Sequence, residues 1–167
     1  MKIGNACIIL LAVLICLLGV FIQVKATGAG GVVLLTPEEG KQLRLTEEEW
    51  NRPLLRMRGP RKGPRIAIKS PPVKETSQGP VIEVVSPIDL VVSFEKNLAP
   101  VNMSSLEVTA RKGIFSKSLT DRLKPFIRET SLEAKGVQLP TGKFKIQISI
   151  ADKNKEETVQ TYRVIVK

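Results

Sequence analysis

Apolar and polar side chains alternate along much of the chain after residue 65, with the period of two expected of a β-strand that buries one face. The clearest example is residues 143–150, where Phe144, Ile146, Ile148 and Ile150 are separated by polar residues. Because prolines, glycines and other turn residues separate the apolar runs, the pattern predicts seven short strands. They cover residues 66–68, 81–85, 88–95, 106–111, 131–134, 143–150 and 158–166.

One segment departs from this alternation. Within residues 118–127, Leu119, Leu123 and Phe126 recur at helical spacing, and Thr120 is a candidate N-cap. Pro125 should limit the helix, because proline lacks the backbone donor that a helix interior needs. We therefore expect a single helical turn in a crossover between two sheets. Seven strands at this spacing favour a single all-β, immunoglobulin-like β-sandwich over residues 66–167.

Residues 27–65 have the composition of a flexible linker that contains two short helices. Thr36 precedes Pro37 and stands three residues before Glu39, and Thr46 stands three residues before Glu49; this spacing is typical of a capped helix start. Gly40 and Pro53 should keep both helices short, and Leu43, Leu45 and Trp50 form a small apolar face. Helices this short are marginal in water, so they should fold against something. The segment either packs on its own domain or stays mobile, or it docks in a partner's groove.

The first 26 residues form an export signal or a membrane anchor. Lys2 precedes an uncharged apolar run over residues 6–22, and a small-residue exit ends at Ala26. These features predict a signal peptide that is cut after Ala26. The run is also long enough to approach the length of a membrane span, so an uncleaved anchor is the alternative. Either way, we expect a periplasmic or extracellular protein, with membrane contact possible through residues 6–22.

The composition excludes several kinds of catalytic site. There is no histidine, and the two cysteines, Cys7 and Cys16, lie inside the apolar N-terminal run. A histidine general base, a thiolate nucleophile and a zinc-cysteine site are therefore ruled out for the rest of the chain. We expect no enzyme activity, no cofactor and no metal. A hydrolase would need paired carboxylates, and the candidates all fall on outward strand positions: Glu83, Asp89, Glu95, Glu107 and Glu133.

The turn that contains Asp152 and Asn154 offers oxygen ligands for calcium. Lys153 and Lys155 interrupt it, and calcium needs more carboxylates than the turn supplies. We therefore expect no calcium site there.

The charge of the chain favours an anionic partner. It carries 26 basic and 16 acidic residues, a net charge of +10. Residues 52–74 contain eight cations and no acid, and Pro53, Gly59, Pro60, Gly63 and Pro64 work against regular structure there. We expect this basic tether to attract an envelope protein, an anionic envelope polymer or lipid headgroups. The residues expected to bind are Arg52, Arg56, Arg58, Arg61, Lys62 and Arg65.

The basic tether is not expected to bind nucleic acid specifically, because Trp50 is the only aromatic residue near it. A solvated basic linker without a dedicated ligand is the simpler alternative. A second basic cluster surrounds the predicted crossover. If it lies near the basic tether, the two would form one positively charged face. Its members are Arg111, Lys112, Lys117, Arg122, Lys124 and Arg128.

The end of the chain resembles the last two strands of bacterial immunoglobulin-like domains. The resemblance lies in residues 139–152, which contain a leucine, a glycine, an aromatic residue, alternating aliphatic residues and Ala151-Asp152, and in the closing strand 161–166. Residues 99–108 are similar to the run that opens a middle strand in those domains. Lys155 departs from the usual final turn, and no Cys–Trp–Cys core is present. The resemblance covers residues 66–167, identifies no single family and implies a non-catalytic binding or spacer module.

These observations together predict an exported binding module that docks a partner protein or an anionic cell-envelope component. One alternative is a structural subunit of an envelope assembly that pairs through its sheet edges. A less favoured alternative is a hydrolase that uses carboxylates.

Overall fold

Within residues 31–54 and 62–167, which are the residues that the computed structural model describes, nine strands form two sheets. Successive side chains of a strand point to opposite faces, so a strand with alternating apolar residues can bury its apolar face between the sheets. The strands are β1 (Arg65–Ser70), β2 (Val73–Thr76), β3 (Gly79–Val84), β4 (Ile88–Glu95), β5 (Val101–Lys112), β6 (Phe115–Ser118), β7 (Ser131–Val137), β8 (Gly142–Asp152) and β9 (Glu157–Val166).

The strand order defines an immunoglobulin-like sandwich. One sheet has the order β1-β4-β7, and the other has the order β2-β3-β9-β8-β5-β6. Neighbouring strands are antiparallel, except that β3 runs parallel to β9. The chain is therefore an all-β protein in which two sheets enclose one core, as the sequence predicts.

The predicted strand faces are confirmed by the core. Phe94, Val108, Phe144, Ile148 and Val164 are buried between the sheets. The outward acids are exposed as expected: Glu83, Asp89, Glu95, Glu107 and Glu133. A shift of one residue in any of these strands would exchange its two faces, so the alternation predicted the faces correctly.

The sequence analysis missed two strands, β2 and β6. In β2 only Val73 is partly buried, and all four residues of β6 are exposed. Neither strand buries one full face, so neither produces the alternation by which the others were predicted. Both lie at the edges of the six-stranded sheet, where pairing with one neighbour defines them.

The predicted crossover is confirmed, but its cap is not. A short helix, Thr120–Leu123, continues as a 3-10 turn, Lys124–Phe126, and leads from β6 in one sheet to β7 in the other. Thr120 was expected to be the N-cap, but Leu119 occupies that position and makes no side-chain cap. The Thr120 hydroxyl instead accepts a hydrogen bond of 2.9 Å from the backbone N–H of Val108 on β5.

Both predicted helix starts before the sandwich are confirmed. Helix α1 (Pro37–Leu43) and helix α2 (Glu47–Asn51) each begin with a complete capping box, formed at Thr36 and Thr46. We number the crossover helix Thr120–Leu123 as α3. Gly40 was expected to limit the first helix, but α1 continues through it. Gly40 packs against Pro140, where a Cβ atom would lie 2.4 Å from the proline Cγ. Gly40 therefore allows the helix to pack closely against Pro140 and does not end the helix.

The segment before the sandwich packs on it. Leu34, Leu35 and Leu43 belong to the main core, and the backbone N–H of Leu34 donates to the Gln138 carbonyl at 2.9 Å. Leu45 and Trp50 form a second apolar cluster with Val81, on the outer face of the six-stranded sheet. Of the two alternatives for this segment, the structure places residues 31–54 on their own domain.

Some of the sequence predictions concern residues outside the described ranges. The apolar run 6–22, the cleavage position after Ala26, and Arg56, Arg58 and Arg61 are among them. Among the helices that the structure describes, none is long and apolar enough to cross a membrane.

Candidate functional site

Three cations lie side by side on the outer face of the six-stranded sheet. Arg111 on β5 pairs in register with Lys145 on β8, and Lys145 pairs with Arg163 on β9. We call these three residues the cationic row. Like charges directly opposite each other on neighbouring strands repel, so such a row needs compensation. Among the described residues, no carboxylate forms an ion pair with any of the three.

Arg163 is the buried end of the cationic row, with only 1% of its surface exposed. Its guanidinium donates to the side-chain oxygen of Gln78 and to the backbone carbonyl of Arg52, each at 2.6 Å. The Nε atom is buried without a hydrogen-bond partner. Burial lowers the pKa of Arg163. Neutral oxygens solvate this charge and leave it formally unbalanced.

Helix α2 covers that end of the row through Trp50. The indole ring lies 5.3 Å from the Arg163 guanidinium and 5.5 Å from the Lys143 ammonium, so it contacts two cations. Lys143 also binds both carboxylate oxygens of Glu47, at 2.6 and 2.7 Å. The cover is therefore held by cation–π contacts, by the ion pairs Lys143–Glu47 and Lys112–Glu49, and by hydrogen bonds from the sheet to the backbone of this segment.

Lys145 sits at the centre of the row, at the edge of this cover. Its ammonium donates to the backbone carbonyl of Glu49 at 3.1 Å. Burial, and next the charge of Arg163, lower the pKa of Lys145. An anion placed beside Lys145 would relieve both effects, because it would restore the stabilisation that the ammonium loses when it leaves water.

Beside the cover, the outer face forms a groove of about 840 Å³. Arg52, Pro53 and Leu54 line it together with Gly79 and Pro80 at the start of β3, where a Cβ atom on Gly79 would lie 2.9 Å from Leu54 Cδ1. Gln147 and Thr161 lie along the strands next to the cationic row and also line the groove. Its charged lining consists of Arg52, Arg111, Lys145 and a single acid, Glu75. The groove can therefore accept a chain that carries negative charge.

The structure places the described members of the predicted binding set in two locations. Arg52 lines the groove together with Arg111, so the two basic clusters of the sequence meet at this point. Lys62 and Arg65 lie instead at the start of β1, where the Lys62 carbonyl accepts a hydrogen bond from Asn97 at 3.2 Å.

Most other cations of the crossover cluster are already paired. Lys117 and Arg122 both contact Glu39, and Lys124 contacts Asp121. The Arg128 guanidinium donates to backbone carbonyls. Lys112 lies 3.7 Å from Glu49. Arg111 is the member of this cluster that faces the groove without an acidic partner among the described residues.

Lys145 was missing from the sequence-based set. Its outward position was visible in the alternation of residues 143–150, and a lysine there indicates only a solvated face. The neighbour relations that make it part of a site depend on the register of β5, β8 and β9, which the sequence alone does not provide.

The carboxylates considered for hydrolysis are spread over exposed positions. Lys74 and Lys167 both contact Glu83 and lower the pKa of its carboxyl, whereas a general acid needs a raised pKa. Asp89 accepts a hydrogen bond from the backbone N–H of Gly136 at 2.9 Å. These groups stabilise the fold and its surface.

Asp152, considered as a calcium ligand, is a structural residue of the β8–β9 turn. It is 2% exposed, and its Oδ1 accepts hydrogen bonds from the backbone N–H groups of Asn154 and Glu156, at 2.8 and 3.0 Å. Across the described ranges there is no group of three or more side chains with the spacing of a metal site.

Comparison with known proteins identifies no family. No protein-family model matches the sequence, and no curated protein matches it. Among solved structures, murine CRIg matches with 7% sequence identity and a TM-score of 0.33, over 62% of this chain and 98% of that one.

Proposed function

We propose that this protein is a non-catalytic binding module whose groove holds an anionic segment of a partner. The observation that carries the proposal is the cationic row. Arg111, Lys145 and Arg163 are adjacent in register, and none has a carboxylate partner among the described residues. A negatively charged chain would supply the missing charge at the exposed part of this row, where Arg111 and Lys145 line the groove.

The shape of the groove favours an extended acidic protein segment as the occupant. The lining residues enclose a volume of about 840 Å³, which an extended segment could enter and a flat membrane could not. An extended segment presents side chains alternately to the floor and to solvent, so aspartate or glutamate at every second position would face the row. The side chains of Gln147 and Thr161 would complete its hydrogen bonds.

We further propose that the module acts outside the cytoplasmic membrane, in the periplasm or extracellularly. The support is the apolar run 6–22, together with the small-residue exit at Ala26 and the thiol-free chain that follows. An envelope protein that exposes an acidic segment is the corresponding partner. The remaining tether cations, Arg56, Arg58 and Arg61, would raise the rate at which such a partner is captured.

The test is titration with a fluorescent poly-glutamate peptide at low salt, measured by anisotropy. Lys145→Gln and Arg111→Gln should each weaken binding about ten-fold, because each removes one charge-assisted contact. Lys153→Gln is the matched control, since Lys153 is an exposed lysine in the β8–β9 turn, away from the groove. It should bind like the unaltered protein, and the melting temperatures should confirm that all variants fold.

Two results would overturn the proposal. Equal loss of binding in Lys153→Gln and Lys145→Gln would mean that net charge alone attracts the peptide. Tighter binding of a uronic-acid polysaccharide than of poly-glutamate would move the partner from a protein segment to an envelope polymer.

A further inference from the structure

The hairpin that joins β5 to β6 exposes two large apolar side chains at its tip. Ile114 is 93% exposed and Phe115 is 66% exposed. They are adjacent in sequence, and the tip projects from the edge of the six-stranded sheet. Apolar residues gathered at a protruding point usually mark an interaction surface.

The fold itself does not require an apolar residue at this tip. β5 ends at Lys112 and β6 begins at Phe115, so the loop has two residues. Gly113 occupies the first loop position and has a φ of +55°. Two-residue hairpin turns of this kind favour glycine there, because other residues rarely adopt a positive φ. No atom lies within 4 Å of a Cβ built on Gly113, so the tip stands clear of the domain. A polar residue at 114 would satisfy the same turn.

Three basic residues flank the apolar tip in the sequence. Residues 109–118 contain Arg111, Lys112 and Lys117 and no acid. Lys112 and Lys117 lie 3.7 and 3.0 Å from glutamates on neighbouring segments, and Arg111 has no carboxylate partner among the described residues. The tip therefore combines an exposed apolar pair with a basic collar, which is the composition of surfaces that bind anionic membranes.

A bilayer fits this tip better than a protein pocket does. Two side chains bury far less than the roughly 1,000 Å² that a specific protein interface needs. A bilayer accepts them without shape complementarity, and anionic headgroups attract the collar.

We propose that Ile114 and Phe115 insert into the interfacial region of an anionic bilayer while Arg111, the collar residue without a carboxylate partner among the described residues, contacts its phosphates. The inserting side chains of Ile114 and Phe115 do not line the groove, although Arg111 and Gly113 border both. The acidic groove partner and the membrane would therefore bind the same domain at separate places.

The test places a fluorescent reporter at the tip of the full chain, reconstituted in nanodiscs. Phe115→Trp is measured in discs of phosphatidylglycerol with phosphatidylcholine and in discs of phosphatidylcholine alone, each with and without brominated lipid. The natural Trp50 is buried, so the unaltered protein supplies the background signal. In anionic discs the new tryptophan should shift to the blue and be quenched by brominated lipid. The quenching should fall at least about three-fold when Arg111 is also changed to Gln.

A matched control comes from the opposite end of the strands. Leu98 is 71% exposed, close to the value for Phe115, and it lies in the loop between β4 and β5, whereas the hairpin tip follows the other end of β5. Leu98→Trp should show no quenching. Equal quenching at Leu98→Trp and Phe115→Trp, or no quenching at either, would overturn the proposal. So would equal quenching in anionic and neutral discs, since the collar would then have no effect.

The same samples separate this proposal from the proposed function. Ile114→Ser should weaken the lipid signal of Phe115→Trp and leave poly-glutamate binding unchanged, because Ile114 does not line the groove. If poly-glutamate alone shifts the emission of Phe115→Trp in the absence of lipid, the tip belongs to the protein-binding surface, and the membrane proposal is wrong.

Discussion

Arg122 holds Glu39 through two parallel hydrogen bonds, from Nη1 at 2.6 Å and from Nη2 at 2.8 Å. The two residues are 83 positions apart in sequence, one on helix α1 and the other on the crossover helix α3. Arg122 also donates to the Leu34 carbonyl at 2.7 Å. This single guanidinium therefore joins the segment before the sandwich to the connection between its two sheets.

Glu39→Gln should destabilise the protein by about 2 kcal/mol, because it leaves the partly buried Arg122 without its charged partner. Thermal unfolding at neutral pH measures the loss. The control is Glu38→Gln, which changes an exposed carboxylate on the same helix and should have little effect. Equal melting temperatures for Glu39→Gln and the unaltered protein would show that the bidentate pair contributes nothing.

The same pair predicts how stability depends on pH. The hydrogen bonds from Arg122 lower the pKa of Glu39 from 4.5 to about 2. A lowered folded-state pKa means that the contribution is complete above about pH 4.5 and is lost as pH falls toward 2. Between those values the unaltered protein should lose stability faster than Glu39→Gln does. Parallel pH profiles for the two proteins would contradict this assignment.

Trp50 should report the docking of α2 directly, because it is the only tryptophan in the chain. Its emission should be shifted to the blue and protected from acrylamide in the folded protein, since the ring is buried between Lys143 and Arg163. Trp50→Ala should cost about 3 kcal/mol. Trp50→Phe should recover part of this, because it keeps an aromatic face for the two cations. Strong acrylamide quenching in the folded state would show that α2 is not docked.

Ile148→Ala should destabilise the sandwich by about 2–5 kcal/mol, since Ile148 is buried between the two sheets on β8. The neighbouring Gln147→Ala, on the outer face of the same strand, is the control and should change stability far less. Chemical denaturation measures both. If Ile148→Lys folded with unchanged stability, the register of β8 would be wrong, because a shift of one residue exchanges its faces.

The basic tether keeps its own prediction. Replacing Arg56, Arg58, Arg61 and Lys62 with Ser should weaken the binding of anionic vesicles or acidic polymer by residues 27–167 at low salt and leave the part that the groove and the hairpin tip provide. The melting temperature should not change, because charged side chains of this kind are not expected in a hydrophobic core. The part lost with the tether should also fall in the unaltered protein as salt approaches physiological strength. Unchanged binding after the four substitutions would show that the tether contributes nothing.

The start of the chain also remains a prediction. Mass spectrometry of the protein from an envelope fraction should find a new N-terminus at Thr27, after cleavage at Ala26. Intact protein that begins at Met1 and resists carbonate extraction would instead establish a membrane anchor.

The sequence by itself determined the local features. The alternation at Phe144, Ile146 and Ile148 predicted both the strand and its buried face, because a strand's side chains alternate whatever lies beside it. The capping boxes at Thr36 and Thr46 were equally visible, since their hydrogen bonds join residues three apart. The all-β sandwich followed from the number and spacing of such strands.

Only the tertiary structure decided where the chemistry lies. Arg111, Lys145 and Arg163 come from three strands, and their adjacency depends on the register of two pairings that no local pattern encodes. The exposed edge strand β6, with Phe115 at its start, was missed because an edge that buries nothing leaves no alternation. The helices before the sandwich could be predicted as helices, but their docking depends on Arg122 and Arg163, far away in sequence. Short-range hydrogen bonding and periodic burial can be read from a sequence, whereas contacts between distant residues depend on how the whole chain packs.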